Sequence, residues 1–223
     1  MNSFDKNLIC PLCGRNEVQH NGKRYIAREH VPPRSLFIKG TSDLITVPSC
    51  RECNNLTSHH DENFKISMGL YLGAFVPDFW QETRLSLNKN EKRKRKRTHI
   101  LEKTSSLLTK SPTGMWGHKV LVEREPIDLV VAKITRGLHW HFTGFVLPNE
   151  VTVDILLLNQ GQTVHLETQQ IFDKHGQELT VANGAFQAHY AFAPDEKHTS
   201  LWKLSFYGIN CFIVEIKPTI IFQ

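Results

Sequence analysis

The sequence contains no apolar run approaching the roughly 18–20 residues needed to span a bilayer, which excludes a helical membrane span. Its first residues, MNSFDKNLICPLCG, lack the charged-then-apolar pattern of a secretory signal, so a cytoplasmic protein is expected. No internal repeat is present beyond a doubled Cys-x-x-Cys pair. Cysteine is scarce, at five in 223 residues, and four of the five fall in those two pairs. In a cytoplasmic chain of this size that distribution argues against a disulfide framework and toward metal.

What is present is the composition of a soluble globular protein, with a hydrophobic fraction of 40% and a charged fraction of 22%. The length is enough for one large domain or two small ones and for a core that needs no staple. The formal net charge is +5 and the sequence pI about 9.0. Much of that excess sits in one place: Lys92, Arg93, Lys94, Arg95, Lys96 and Arg97 are six consecutive cations. A localised run is better evidence for a polyanionic partner than a diffuse excess, although a solvated linker has the same composition.

Residues 1–65 are rich in Cys, His, Asn and Pro and poor in apolar periodicity. Such a segment cannot build a core alone and reads as a small metal-stapled unit, with helix from about Asn54 toward Phe64. Residues 64–80, FKISMGLYLGAFVPDFW, are apolar and read as a bridging helix that ends at Pro77. Residues 66–125 together read as a connector, basic and partly helical, closing at the turn signal SPTG. From Pro126 onward, apolar residues at 127, 130, 131, 134 and 138 form a helical face, with Gly137 as its expected end. The period then changes, and VTVDILLL, GAFQAHYAFA, LWKLSFYG and CFIVEIK read as strands, with APDEKHTS as a hairpin connection. The expected fold class is α+β, with residues 126–223 an accessory domain of helix packed on a mostly antiparallel sheet.

Cys10, Cys13, Cys50 and Cys53 stand in CPLC and CREC, two tight turns that each aim two thiolates at one point. Four thiolates at about 2.3 Å in a tetrahedron are what Zn²⁺ accepts in a closed structural site. Cys211, in INCFIVEI, reads as a buried strand residue. The two Cys pairs flank REHVPPRSLF, in which Glu29 and His30 stand together ahead of two prolines. Closing the staple brings Asn54, the residue after Cys53, toward that motif. A histidine with an ordinary pKa near 6.5 suits proton transfer at neutral pH.

Taken in order, CPLCG, REHVPPRSLF and VPSCRECNN resemble the zinc-stapled HNH endonucleases, whose nuclease module is the ββα-metal fold. The resemblance covers residues 10–64. It implies that His30 is the general base that takes a proton from the water attacking the phosphodiester. It implies that Glu29 is the acidic metal ligand, usually Asp in the family, and that Asn54 is the amide ligand on the helix. The ion implied is Mg²⁺ or Mn²⁺, because oxygen ligands and water suit those cations. The middle Asn of the family is not clearly present, and Asp43 or Thr46 stands where the group orienting His30 is needed. The terminal His is not adjacent to Cys53; His59, His60 and Asp61 lie further along, and Asn55 replaces Asn54 if the register slips by one.

The resemblance also implies a nucleic-acid partner, DNA favoured over RNA, and a place in phage defence or mobile-element biology. Lys92–Arg97 with Arg51, Arg84 and Lys89 would neutralise phosphates; if all six tract cations engage duplex DNA, the log–log salt slope of affinity is roughly −5. No reader of base edges is legible. The C-terminal domain is left for a partner protein or a homo-oligomer contact, and no membrane partner is expected. A non-catalytic zinc module that binds nucleic acid, or a subunit of a defence complex, is the competing reading. His139 and His141, flanking Trp140, are expected to pack or to make polar contacts rather than to hold a second metal.

Overall fold

A computed structural model of the chain describes residues 9–15, 19–20, 23–24, 26–72, 75–89, 91, 94–95, 98–99, 102, 105–110, 116–121, 123–158 and 162–219. Among these, two short strands, β1 (Gln19–His20) and β2 (Lys23–Arg24), pair antiparallel. They precede a hairpin of β3 (Ile26–His30) with β4 (Thr46–Cys50), in which Glu29 faces Val47 and His30 faces Thr46. The connection between these two strands contains a 3-10 turn at Arg34–Leu36, whose Leu36 is buried. Helix α1 (Arg51–Leu72) starts at the residue after β4.

Helix α1 is longer than the sequence suggests at its start and joins the expected helix near 54–64 to the first part of the apolar bridge, but that bridge, expected to stay helical to Pro77, stops at Leu72. Its buried positions explain this. Phe64, Met68 and Leu72 recur at a spacing of four and face one side. Helix α2 (Pro77–Leu87) comes next, with Pro77 in its first turn, where a missing N–H costs nothing. The connector also contains an antiparallel pair that its polar, basic sequence did not announce, β5 (Ser105–Lys110) with β6 (Trp116–Leu121). The turn signal SPTG lies outside the described residues.

Helix α3 (Arg124–Thr143) carries the expected apolar face, with Ile127, Val130, Val131, Ile134 and Leu138 buried. It does not end at Gly137. That glycine is buried within the helix, where a Cβ would stand 2.6 Å from Val31 Cγ1. Gly137 is therefore a point of close approach between α3 and the segment after His30, and the helix ends instead at Gly144, left-handed at φ 72°.

The last part is a five-stranded antiparallel sheet formed by β7 (Val151–Leu158), β8 (Gln177–Val181), β9 (Phe186–Phe192), β10 (Ser200–Phe206) and β11 (Asn210–Pro218). Its spatial order is β7-β11-β10-β9-β8. The four strand expectations hold. Helix α4 (Leu166–His175) and β8 were not foreseen, because LETQQIFDKH and QELTV bury only Phe172 and Val181 and so carry little apolar period. Cys211 lies on β11 and is partly rather than fully buried.

Alternate residues of β9, β10 and β11 (Phe186, Ala188, Tyr190; Trp202, Leu204, Phe206; Phe212, Val214, Ile216) face one core. Leu36, Phe37, Phe64, Met68, Leu72 and Phe79 from the N-terminal half belong to that same core. Phe64 packs edge-on against Phe206 with ring centroids 5.7 Å apart. Polar contacts repeat the connection: Tyr207 Oη donates to Leu36 O at 3.2 Å, and Ala182 N donates to Asp43 O at 3.3 Å.

His139 is completely buried on α3, while His141 points to solvent on the opposite side. Lys197 O, an acceptor only, lies 3.0 Å from His139 Nε2 and requires the proton there. Nδ1 then accepts from Ser200 Oγ at 3.1 Å, and Ser200 Oγ accepts from Trp202 Nε1 at 2.9 Å. The expected polar packing role is what this network describes. Burial pushes the His139 pKa down to about 4, so as pH falls the unfolded chain protonates first. The stability contributed by neutral His139 is complete above pH about 6.5 and is lost as pH falls toward about 4. Between neutral pH and about pH 4.5, urea denaturation is expected to show the wild type losing about 2–3 kcal/mol more than His139→Gln.

Candidate metal centre and its surroundings

The two cysteine pairs come together. The four Sγ atoms of Cys10, Cys13, Cys50 and Cys53 all lie within 4.8 Å of one another. A tetrahedron with bonds of about 2.3 Å has edges of about 3.8 Å, and Cys13 Sγ to Cys50 Sγ measures 3.8 Å. The local chain explains the convergence. Gly14 N donates to Cys10 O at 2.8 Å, closing a turn with Gly14 at φ 70°, a backbone conformation that costs glycine little. On the other side β4 ends at Cys50, and Cys53 N in the first turn of α1 donates to Cys50 Sγ at 3.4 Å.

The thiol protons are already unequal. A hydrogen bond from Cys53 holds the Cys10 thiol down to about 4, whereas the partners of that bond and burial push Cys53 up. Four thiolates with one Zn²⁺ carry a net charge of −2, and the half-buried Arg136 guanidinium lies close enough to Cys13 to interact with it. Arg136 is anchored by donating to Leu147 O and Pro148 O, each at 3.1 Å. Arg15 pairs with Glu52 across the rim. The donor set and the spacing fit a closed zinc site with no position left for substrate.

Around this centre the expected site residues fall into two groups. His30 is half-buried at the end of β3, its Nδ1 buried and without a hydrogen-bond partner among the described residues. Neither Asp43 nor Thr46 supplies the orienting bond: Asp43 is exposed in a left-handed turn at φ 59°, and Thr46 is the cross-strand neighbour of His30. Burial, then the nearby Arg34 cation, lowers the His30 pKa, which keeps the imidazole neutral at physiological pH. On α1, Asn54 is half-buried and Asn55 exposed. His59 is exposed, and its ring centroid lies 5.8 Å from that of His60, whose Nδ1 is buried without a partner among the described residues, as is Asn63 Oδ1.

Glu29 takes a different place. On a strand, neighbouring side chains point to opposite faces, and Glu29 points inward while His30 is half-exposed. The Glu29 carboxylate lies 3.1 Å from Lys133 Nζ, and the same ammonium donates to Asp61 Oδ1 and Oδ2 at 3.0 and 2.9 Å. All three groups are buried. Burial raises the pKa of both carboxyls, and Lys133 pulls both back down. Lys133 was not foreseen. Its signal was a lysine at the i+3 position from Val130, inside an otherwise apolar helical face.

Of the basic tract, Lys92, Arg93, Lys96 and Arg97 lie outside the described residues. Lys94 and Arg95 are exposed, with Lys94 paired to Glu91 at 2.6 Å, and Arg51, Arg84 and Lys89 are exposed as well. No described helix is long and apolar enough to cross a membrane. In comparisons with models of known protein families, with curated proteins and with solved structures, nothing matches this chain.

The staple is open to direct measurement. Metal analysis of purified protein is expected to give about one zinc per chain, and Cys50→Ser is expected to cut that by more than about half, with a lower melting temperature. Full zinc content in the variant would sink the four-cysteine site.

Proposed function

We propose that this chain is a metal-dependent endonuclease of HNH type that hydrolyses phosphodiester bonds, in DNA in preference to RNA. The observation that supports this reading best is the order hairpin then helix, β3–β4 running directly into α1, with the thiol cluster at the joint. His30 ends the first strand of that hairpin and Asn54 lies in the first turn of the helix.

In this reading the neutral His30 imidazole accepts a proton from the attacking water, the new P–O bond forms, and the P–O bond to the departing 3′ oxygen breaks. A Mg²⁺ or Mn²⁺ ion supplies charge stabilisation at the scissile phosphate and the leaving oxygen when bound. Asn54, half-buried in the first turn of α1, carries an amide oxygen of the kind that ion takes, and Asn55 beside it carries a second. Glu29, the carboxylate expected as the ion's ligand, is engaged by Lys133 at 3.1 Å. Arg51 on the same turn, with Lys94 and Arg95, supplies cations for the phosphate backbone, and the remaining tract cations extend that set. Defence against phage or mobile elements is the setting the resemblance favours.

The second reading, a zinc module that binds nucleic acid without cutting it, is favoured by that same occupied Glu29. Plasmid nicking with Mg²⁺ or Mn²⁺ separates the two. His30→Ala is expected to lower nicking by at least about 100-fold while DNA affinity and zinc content persist. Absence of nicking by the wild type on DNA and RNA, with both ions, would leave only the binding module. Because the His30 pKa lies below its ordinary value, the imidazole stays neutral further into acid. The acidic limb of the rate profile is therefore expected below pH about 6.5.

A further inference from the structure

The buried group of Glu29, Asp61 and Lys133 joins three elements, β3, α1 and α3, and it lies one residue from the candidate base. Lys133 offers three N–H donors, and three carboxylate oxygens stand at 2.9–3.1 Å from its nitrogen. The ammonium is thus held between the two carboxylates, with both Asp61 oxygens on one side of it and Glu29 Oε1 on the other. The side chains are only 3% (Lys133), 10% (Glu29) and 12% (Asp61) exposed, so solvent screening there is weak. A Mg²⁺-type ion needs oxygens at about 2.0–2.1 Å in near-octahedral order, and an ammonium already stands 3.1 Å from Glu29 Oε1, too close for a second cation to bind that oxygen beside it.

We infer that Lys133 is the resident cation at Glu29, and that Glu29 is a positioning residue that fixes the His30-bearing strand, not a ligand of a divalent ion. The disagreement with the family pattern at Glu29 thereby rests on one side chain, contributed by α3 from beyond the nuclease-like segment. Gly137, one turn further along α3, approaches Val31 on the other side of His30, so the helix grips the strand end at two points. His60, next to Asp61 in the chain, lowers the Asp61 pKa in the same sense as Lys133, and His30 and Glu62 are the titratable neighbours of Glu29 and Asp61 along the chain. The geometry also sets a condition: a divalent ion gains Glu29 only where Lys133 is removed.

The inference concerns the same site as the nuclease reading, but its test tracks bound metal and not cleavage, so the two fail separately. Zinc-loaded full-length protein is titrated with Mn²⁺, with free and bound ion distinguished by electron paramagnetic resonance, and melting is monitored in parallel. Glu29→Gln is expected to leave any Mn²⁺ affinity of the wild type within about twofold, whereas loss of a true ligand costs about 10–100-fold. Lys133→Met is expected to acquire Mn²⁺ binding and a Mn²⁺-dependent rise in melting temperature, both abolished in the Glu29→Gln, Lys133→Met double variant. No bound Mn²⁺ in wild type or Glu29→Gln agrees with the inference while removing the metal-dependent nuclease reading. A tenfold or greater loss of Mn²⁺ affinity in Glu29→Gln alone would overturn the inference, as would a folded Lys133→Met that gains no Mn²⁺. Should Lys133→Met fail to fold, the comparison of wild type with Glu29→Gln decides.

Discussion

Four sulfur atoms gather where two stretches of chain with few apolar side chains meet. Cys10 and Cys13 arrive from a loop with no core of its own, and Cys50 and Cys53 from the junction of a strand and a helix. Their convergence to within 4.8 Å fixes where α1 begins, and the position of α1 governs the packing of the N-terminal half. It aims Phe64, Met68 and Leu72 at the sheet, presents Asp61 toward α3 and leaves Asn54 near the surface. Moving the helix start by one residue would rotate those side chains by roughly 100° about the helix axis, away from every one of these partners.

Burial then does what the staple alone does not. The N-terminal unit shares its core with the C-terminal sheet, through α1, α2 and the turn at Leu36. The physical reason is surface: a segment of about 65 residues buries too little apolar area to offset its chain entropy, and a borrowed sheet face supplies the rest. Contacts at Tyr207–Leu36 and Asp43–Ala182 fix the orientation of the two parts. Helix α3 lies between them and touches both.

Charge is handled differently at three places along α3. Arg136 stands beside the cysteine cluster, Lys133 is enclosed by two carboxylates, and His139 is kept neutral by burial. A buried ion pair adds little net stability compared with apolar packing, but removing one partner costs about 3–5 kcal/mol, since the other charge is left alone. The arrangement at Lys133 is therefore specific before it is strong. It holds β3 and α1 in one relation to α3.

Local pattern alone revealed the four cysteines that cluster, from two Cys-x-x-Cys spacings. It also revealed the alternating strands of the sheet and the apolar face of α3. Those signals are short-range: a turn geometry, a period of two, a period of 3.6. It did not reveal α4, β8 or the β5–β6 pair, whose residues carry no clear apolar period. Gly137 looked like a helix stop because glycine commonly ends helices; the reason for it, the nearness of Val31, lies more than a hundred residues away in the chain. The pair Glu29-His30 was legible as two chemically capable residues, but not which way each would face. Sequence determined by itself that four thiols would gather at the start of one helix and that a carboxylate and an imidazole would stand side by side on the strand ahead of it. Only the tertiary structure decided that the carboxylate turns inward to Lys133 while the imidazole stays half-exposed, because a cation 104 positions further along packs against that strand.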